Sequence, residues 1–458
     1  MFTPAAFFLR VALVLAVLVW IVSPSASAAD GELTTPDEFI SLLFAEPGVR
    51  QEVLQKIDRT WRPGYAVLTL EILYFSRDPG VRRSLVSILE EKTGQRLGSD
   101  TQRWYEWIWS QAATDHPGYA EFKSRLYRLI DPKFAAYFAS DRPATIRLDE
   151  VRWGGVRQDG IPPLRSPKMI TAAEASYLDD DHVVFGLEVN GDARAYPKRI
   201  LAWHELFTDE LGGVSVAGVY CTLCGTVILY ETELDGVRHE LGTSGFLYRS
   251  NKLMYDRATQ TLWNTIWGRP AIGPLVGREI QLPRRSVVTT TWGEWRRRHP
   301  ETRVLSLDTG YERDYSEGAA YREYFATDEL MFNVPQLDRR LKNKDEVLTL
   351  VLDREAAQPL AISADFLTKT KVYHDRIGDT ELVVLTDRSG ANRVYRTNGL
   401  RFASWDLDRL VEDESGTQWT LSEDRLVASD GRRLERFPAQ RAFWFGWYAA
   451  FPDTRLVM

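Results

Sequence analysis

A tryptophan-marked segment occurs twice in this chain, and that repetition constrains the fold more than any other feature. The run "TLWNTIWGRP…REIQLPRRSVVTTTWGEWRRRHPETRVL" returns near the C-terminus as "TQWTLSEDRL…RRLERFPAQRAFWFGWYAAFPDTRLV". Trp263 falls opposite Trp419, Trp292 opposite Trp444, Trp295 opposite Trp447 and Pro300 opposite Pro452. Upstream, "VFGLEVNGDARAYPKRILAWHELFTDELGG" runs roughly parallel to "TLVLDREAAQPLAISADFLTKTKVYHDRIGD". The pattern predicts two copies of one unit, residues 145–310 and 335–458. Tryptophans held in order at both places point to aromatic cores, not to scattered surface rings.

Within each copy, short runs of Val, Tyr, Thr and Leu alternate with Gly, Asp and Asn turns, the signature of strands. "HVVFGLEVNGDARAYP" predicts a hairpin turning at Asn190-Gly191. "RILAWHELFTDEL" predicts a helix ended by Gly212-Gly213, and "VSVAGVY" and "TVILYETE" predict strands. Residues 30–140 differ. "PDEFISLLF", "YAVLTLEILYF", "VRRSLVSILEEKTG" and "YAEFKSRLYRLI" carry apolar residues at helical spacing, punctuated by "EPG", "RPG", "DPG" and "HPG". Paired short helices of this kind suggest a HEAT-like module. The expected fold is α+β: an N-terminal α-helical module followed by two pseudo-repeated β-rich domains.

The first residues read as an export signal. Arg10 supplies the charge, Val11–Val22 an apolar run too short to span a bilayer comfortably, and "SASA" a small-residue cleavage site after Ala28. Residues 1–28 are therefore expected to be removed, and the mature chain to be periplasmic or secreted, with no membrane span. The formal net charge of −7 comes without a basic stripe and argues against nucleic acid as a partner. A protein partner bound through the N-terminal helices stays open.

An exported chain with only 2 cysteines has no disulfide framework. Both sit in "VYCTLCGTVILYE", as Cys221 and Cys224. The matching "LTDRSGANRVYR" of the second copy has none, and Phe451 stands where the first copy has His299. The fold therefore does not need the Cys-x-x-Cys turn, which points to a functional role for it.

The motifs "ARAYP…LAWHELFTDELGGVSVAGVYCTLCGT", "TSGFLYRSNKLMYDRATQTLW", "GPLVGREI", "TTWGEWRRRHPETRVLS" and "TGYERDY" resemble those of the DUF3179 family of exported bacterial and archaeal proteins, over about residues 145–458. That family's usual "YCPLCGT" appears here as "YCTLCGT", and "HEIVND" as "HELFTD". Neither change removes a candidate ligand. The family name records unknown function, so the resemblance implies a boundary and a motif set and no reaction.

Cys-x-x-Cys-Gly on a hairpin suits a metal knuckle, because the gap lets both sulfurs face one ion. The expected site is mononuclear, with Cys221, Cys224 and His204 as ligands, Met254 as a possible fourth, and His239 as a weaker candidate. This soft set favours copper over zinc. Glu205, Tyr255, Asp256 and Arg257 are expected around it as supporting or ligand-binding groups. Such a protein would be a metallo-oxidoreductase or a metal carrier. The alternatives are a thiol-disulfide redox protein using Cys221 and Cys224, and a non-catalytic binding protein in which a disulfide braces the loop.

Overall fold

Four of the six helices of the N-terminal region start where a polar or proline residue can satisfy or forgo the first free amides. α1 (Pro36–Ser41) has Pro36 in its first turn and a capping box between Thr35 and Glu38. α2 (Pro47–Arg59) and α3 (Tyr65–Phe75) follow. α4 (Pro79–Thr93) is capped by Asp78 and stopped by Gly94 in the left-handed conformation, at φ 73°. α5 (Thr101–Ser110) is capped by Asp100, and α6 (Tyr119–Arg128) completes the set. The computed structural model describes residues 33–113, 116, 118–352 and 358–458. The expected export signal lies outside these described residues. Among them, no helix is long and apolar enough to cross a membrane.

The helices do not stand apart from the β-rich region. α3 is buried along its length from Tyr65 to Leu73, and its one carboxylate, Glu71, is held by Lys123 at 2.8 Å and by the hydroxyls of Tyr119 and Tyr127 at 2.9 and 2.7 Å. Lys123 also donates to the carbonyl of Val151, the first residue of the Val151–Trp153 strand. Phe134, Tyr137 and Phe138 pack around Phe246 of the Leu241–Tyr248 strand, so helices and first β unit share one core.

The chain is α+β, and its two β-rich regions have matching wiring. In the first, one sheet runs in the order Val288–Thr291, Val183–Val189, Asp192–Pro197, Arg303–Leu305, Met169–Thr171. In the second, a sheet runs Gln440–Phe443, Glu346–Leu350, Leu360–Ser363, Arg455–Val457. Both have antiparallel pairs followed by one parallel pair, Asp192–Pro197 with Arg303–Leu305 and Leu360–Ser363 with Arg455–Val457. α7 (Lys198–His204) and α8 (Trp292–Arg298) belong to the first unit, the short α9 (Arg322–Phe325) to the connection, and α10 (Ala364–Lys369) and α11 (Trp444–Ala450) to the second. Trp295 donates to the Thr302 hydroxyl at 2.9 Å, as Trp447 does to Thr454 at 2.9 Å. His299 lies 4.1 Å from the Trp295 ring, and Phe451 4.3 Å from the Trp447 ring.

One sequence expectation is corrected. The helix expected over "RILAWHELFTDEL" ends at His204, and Leu206–Leu211 is a strand paired antiparallel with Val214–Cys221. Glu205 takes the left-handed conformation at φ 57°, which stops the helix. Leu206, Phe207 and Leu211 then reach buried sites through the sheet, where pairing outweighs local helix propensity.

Candidate functional site

The Val214–Cys221 strand pairs with Thr226–Glu231, and the last pair before the turn is Cys221 with Thr226. The turn closes with the Cys224 amide donating to the Cys221 carbonyl at 3.2 Å. Gly225 sits at φ 59°, and a Cβ there would meet the Phe443 ring at 2.9 Å. Only glycine fits, for reasons of both backbone and space. The two thiols are free, buried and turned toward one acceptor, the carbonyl of Ser250, which lies 3.1 Å from the Cys224 sulfur and 4.0 Å from that of Cys221. Ser250 and Arg249 both have positive φ, at 62° and 49°, and form the tight turn joining Leu241–Tyr248 to Asn251–Asp256.

The second β-rich region builds the turn expected to correspond without sulfur. There the strand ends in the pair Thr386 with Asn392. Asp387 takes over the turn: one carboxylate oxygen accepts from the Ser389 amide at 2.9 Å, the Ser389 hydroxyl at 2.6 Å and the Ala391 amide at 3.0 Å. Its other oxygen pairs with buried Arg393 at 2.8 Å. The second β-rich region also covers the cysteine turn. The Phe443 amide donates to the Cys224 carbonyl at 2.7 Å. Gly446 of α11 lies so close that a Cβ there would be 3.3 Å from the Cys224 sulfur.

Beside the thiols lies a buried ion pair. Lys252 meets Glu205, with side chains 7% and 6% exposed. The Tyr321 hydroxyl donates to the other Glu205 oxygen at 3.1 Å. Burial opposes ionisation of Cys221, but the Cys224 thiol hydrogen bond, the Lys252 amide and the Lys252 ammonium outweigh it and the repulsion from Glu205, so the Cys221 pKa falls below the ordinary thiol range. Burial pushes Cys224 well above that range, helped by its hydrogen bond to Cys221 and by repulsion from Cys221 and Glu205. The arrangement is one acidic thiol next to one that keeps its proton.

Of the expected metal ligands, Cys221 and Cys224 meet, while His204 and Met254 are engaged elsewhere. His204 places Nδ1 2.8 Å from the Pro162 carbonyl and Nε2 2.6 Å from the Tyr315 hydroxyl. A carbonyl only accepts, so Nδ1 carries the proton and Nε2 accepts from Tyr315. Burial lowers the His204 pKa, consistent with this neutral ring. Met254 is fully buried among Leu206, Val219, Ile228 and Trp263, in a different cluster from the cysteines. Among the described residues, no group of three or more His, Cys, Asp or Glu side chains is placed to hold a metal ion.

The expected supporting residues separate too. Glu205 is at the site. Tyr255 donates to Asp159 at 2.5 Å, Asp256 holds His239 at 3.0 Å, and Arg257 pairs with Glu240 at 3.3 Å at the surface. Sequence reasoning missed Lys252, Ser250, Gly446 and the connection between the two β-rich regions. That connection brings Tyr315 to His204, Tyr321 to Glu205, and Tyr324, whose hydroxyl donates to the Leu223 carbonyl at 2.7 Å. The signal was present as a run of aromatics, Tyr311, Tyr315, Tyr321, Tyr324 and Phe325, in an otherwise polar segment. On its outer side the cysteine turn borders a cavity of about 160 Å³ between the two β units, lined by Lys198, Tyr220, Gly225, Glu346, Arg441 and Phe443.

No curated protein matches this sequence, and no solved structure matches it. The family whose profile does match, over residues 158–454, is described as a protein of unknown function (DUF3179). The matched span covers more than half of the chain and contains both cysteines, the Lys252–Glu205 pair, the tyrosine-bearing connection and α11, and the chain belongs to the DUF3179 family.

Proposed function

We propose that this is an exported thiol-disulfide exchange protein whose working groups are Cys221 and Cys224. The observation that carries the reading is the paired, unbridged thiols of opposite acidity beside Lys252. In the exchange, the Cys221 thiolate attacks one sulfur of a partner's disulfide and the other leaves as a thiolate. Cys224 then gives up its proton to that leaving group and attacks the Cys221 sulfur, releasing the second partner sulfur as a thiolate, which takes from solvent the proton Cys221 lost when it ionised. The partner's disulfide is reduced to two thiols, and the Cys221–Cys224 dithiol becomes a disulfide. Lys252 stabilises the attacking thiolate, Glu205 holds Lys252 in place, and Tyr321 orients Glu205. The expected export signal supplies a compartment in which such a couple turns over.

The test is equilibration of the mature protein in glutathione buffers of graded potential, with thiols counted at each. Reversible interconversion of dithiol and disulfide, and a mixed disulfide trapped at Cys221 in Cys224→Ser, are the expected results. Thiols that stay inert in the folded protein under all buffers would refute the reading.

A second reading keeps the copper ion. Two facing thiols are a soft pair of the kind that holds copper(I), whereas zinc asks for four ligands. Metal analysis of protein purified without chelator, with a parallel thiol count, separates the two. One copper per chain with protected thiols supports a carrier, and metal-free protein with reactive thiols supports exchange.

A further inference from the structure

Phe443, whose ring lies against Gly225, also lines a cavity of about 370 Å³. Three parts of the chain form it. Lys198, Arg199 and Ala202 come from α7, Glu317, Gly318, Ala320 and Phe325 from the connection, and Lys344 and Phe443 from the second β-rich region. A volume of this order suits a small molecule. Part of the wall is apolar: Ala202 and Ala320 are buried, and the rings of Phe325 and Phe443 meet edge-on with centroids 6.3 Å apart.

Four charged residues line the cavity, three cations against Glu317, and they are not equally committed. Arg199 donates to the Glu317 carboxylate at 2.8 Å and to the Tyr177 carbonyl at 2.8 Å, so that pair balances itself. Lys344 donates to the carbonyls of Tyr324 and Thr327 and sits 3.5 Å from the centroid of the Tyr324 ring, with Asp328 and Glu329 near enough to offset its charge. Lys198 differs. It is half-buried, its ammonium lies 4.7 Å from the centroid of Phe325, and among the described residues no oxygen accepts from it. On its other side it borders the cavity of about 160 Å³ beside the cysteine turn, where the carboxylate, Glu346, is held by Arg441 at 2.6 Å.

A cation on an aromatic face is oriented by the ring and keeps its three N–H donors for an acceptor. Beside low-dielectric walls, an opposite charge is held more firmly than in open water. One uncommitted ammonium matches a single negative charge. A phosphate dianion would call for a guanidinium fork or several cations, and the arginine here is spent on Glu317. The phenylalanine and alanine wall matches an apolar body attached to that charge.

We propose that this cavity binds a small organic monoanion, a carboxylate on an apolar body, with its charge on Lys198 and its body against Phe325 and Phe443. Its occupancy does not depend on thiol chemistry.

The test uses the mature protein and three probes, phenylacetate, its neutral amide phenylacetamide, and inorganic phosphate, with binding read by calorimetry and saturation-transfer NMR. Wild type is expected to bind phenylacetate in preference to the other two. Lys198→Met keeps the length of the side chain and its contact with Phe325 but removes the charge. It should weaken phenylacetate about tenfold or more, the range for a hydrogen bond to a charged group. Lys198→Arg, which restores the charge, should recover binding, and a melting curve for each variant shows that it is folded. Phe325→Ala, which takes away part of the apolar wall, should also weaken phenylacetate. Cys221→Ser/Cys224→Ser should bind as wild type does, so failure of the exchange reading and failure of this one are seen separately. Absence of phenylacetate binding, equal binding of the neutral amide or of phosphate, binding undiminished in folded Lys198→Met, or loss of binding in the double-serine chain would each overturn the proposal.

Discussion

Replacing Lys252 by Met keeps the length of the side chain and removes its charge. In the folded protein Lys252 and Glu205 are 7% and 6% exposed and paired with each other. After Lys252→Met the Glu205 carboxylate keeps only the Tyr321 hydroxyl, at 3.1 Å, and stays out of water. Breaking one partner of a buried pair in this way costs about 3–5 kcal/mol. At roughly 1.4 kcal/mol per decade, that is about two to three and a half decades in the folding constant. The double variant Lys252→Met/Glu205→Gln leaves no stranded charge and is expected to recover most of the loss. A second effect falls on Cys221, whose thiolate loses a nearby cation. Its pKa should rise, and the rate of its alkylation near neutral pH should fall. Urea unfolding of wild type, both single variants and the double variant gives the coupling energy. Iodoacetamide alkylation across pH gives the thiol shift. A single variant less than ~1 kcal/mol below wild type, with an unchanged alkylation profile, would show that Lys252 neither compensates Glu205 nor acidifies Cys221.

Three other outcomes follow from the same contacts. Gly446→Ala should place its Cβ 3.0 Å from the Cys224 Cβ and 3.3 Å from its sulfur. The overpacking costs about 1–3 kcal/mol and is partly offset by about 1 kcal/mol of helix propensity, so a small loss of stability with a clear change in Cys224 alkylation is expected. Asp387→Ala should cost about 2–4 kcal/mol by removing the turn bonds and one partner of buried Arg393, and should speed hydrogen exchange at Ser389 and Ala391 without altering thiol reactivity. Glu423 is buried, but Arg393, His299 and Arg436 hold its pKa well below the ordinary carboxylate value. Its folded pKa lies below its unfolded one, so its stabilisation is complete above about pH 4.3 and is lost as the pH falls through the folded value. Acid titration of unfolding should therefore be steeper for wild type than for Glu423→Gln.

Much of this molecule was legible in the chain. Helical spacing and Pro-Gly punctuation marked the N-terminal helices, because those signals act within a few residues. Short Val-, Tyr-, Thr- and Leu-rich runs between turn residues marked the strands, and the ordered tryptophans marked two regions of matching wiring. The motif set marked the family. Cys221 and Cys224 stood out in the chain because the matching segment near Asp387 holds no cysteine.

The surroundings of the thiols were decided only by tertiary structure. His204 and Glu205 are adjacent in the chain, yet the left-handed turn at Glu205 sends one ring to Pro162 and Tyr315 and the other side chain to Lys252. Met254 and Lys252 share one strand and end in different surroundings, the first in a hydrophobic cluster and the second beside the thiols. Tyr321, Tyr324 and Gly446 reach the site from far along the chain, by the path of the connection and the packing of α11. Spacing in sequence can nominate residues of suitable chemistry. Which of them meet depends on strand register, backbone conformation at single positions, and how one unit packs on another, and these depend on interactions across the whole fold.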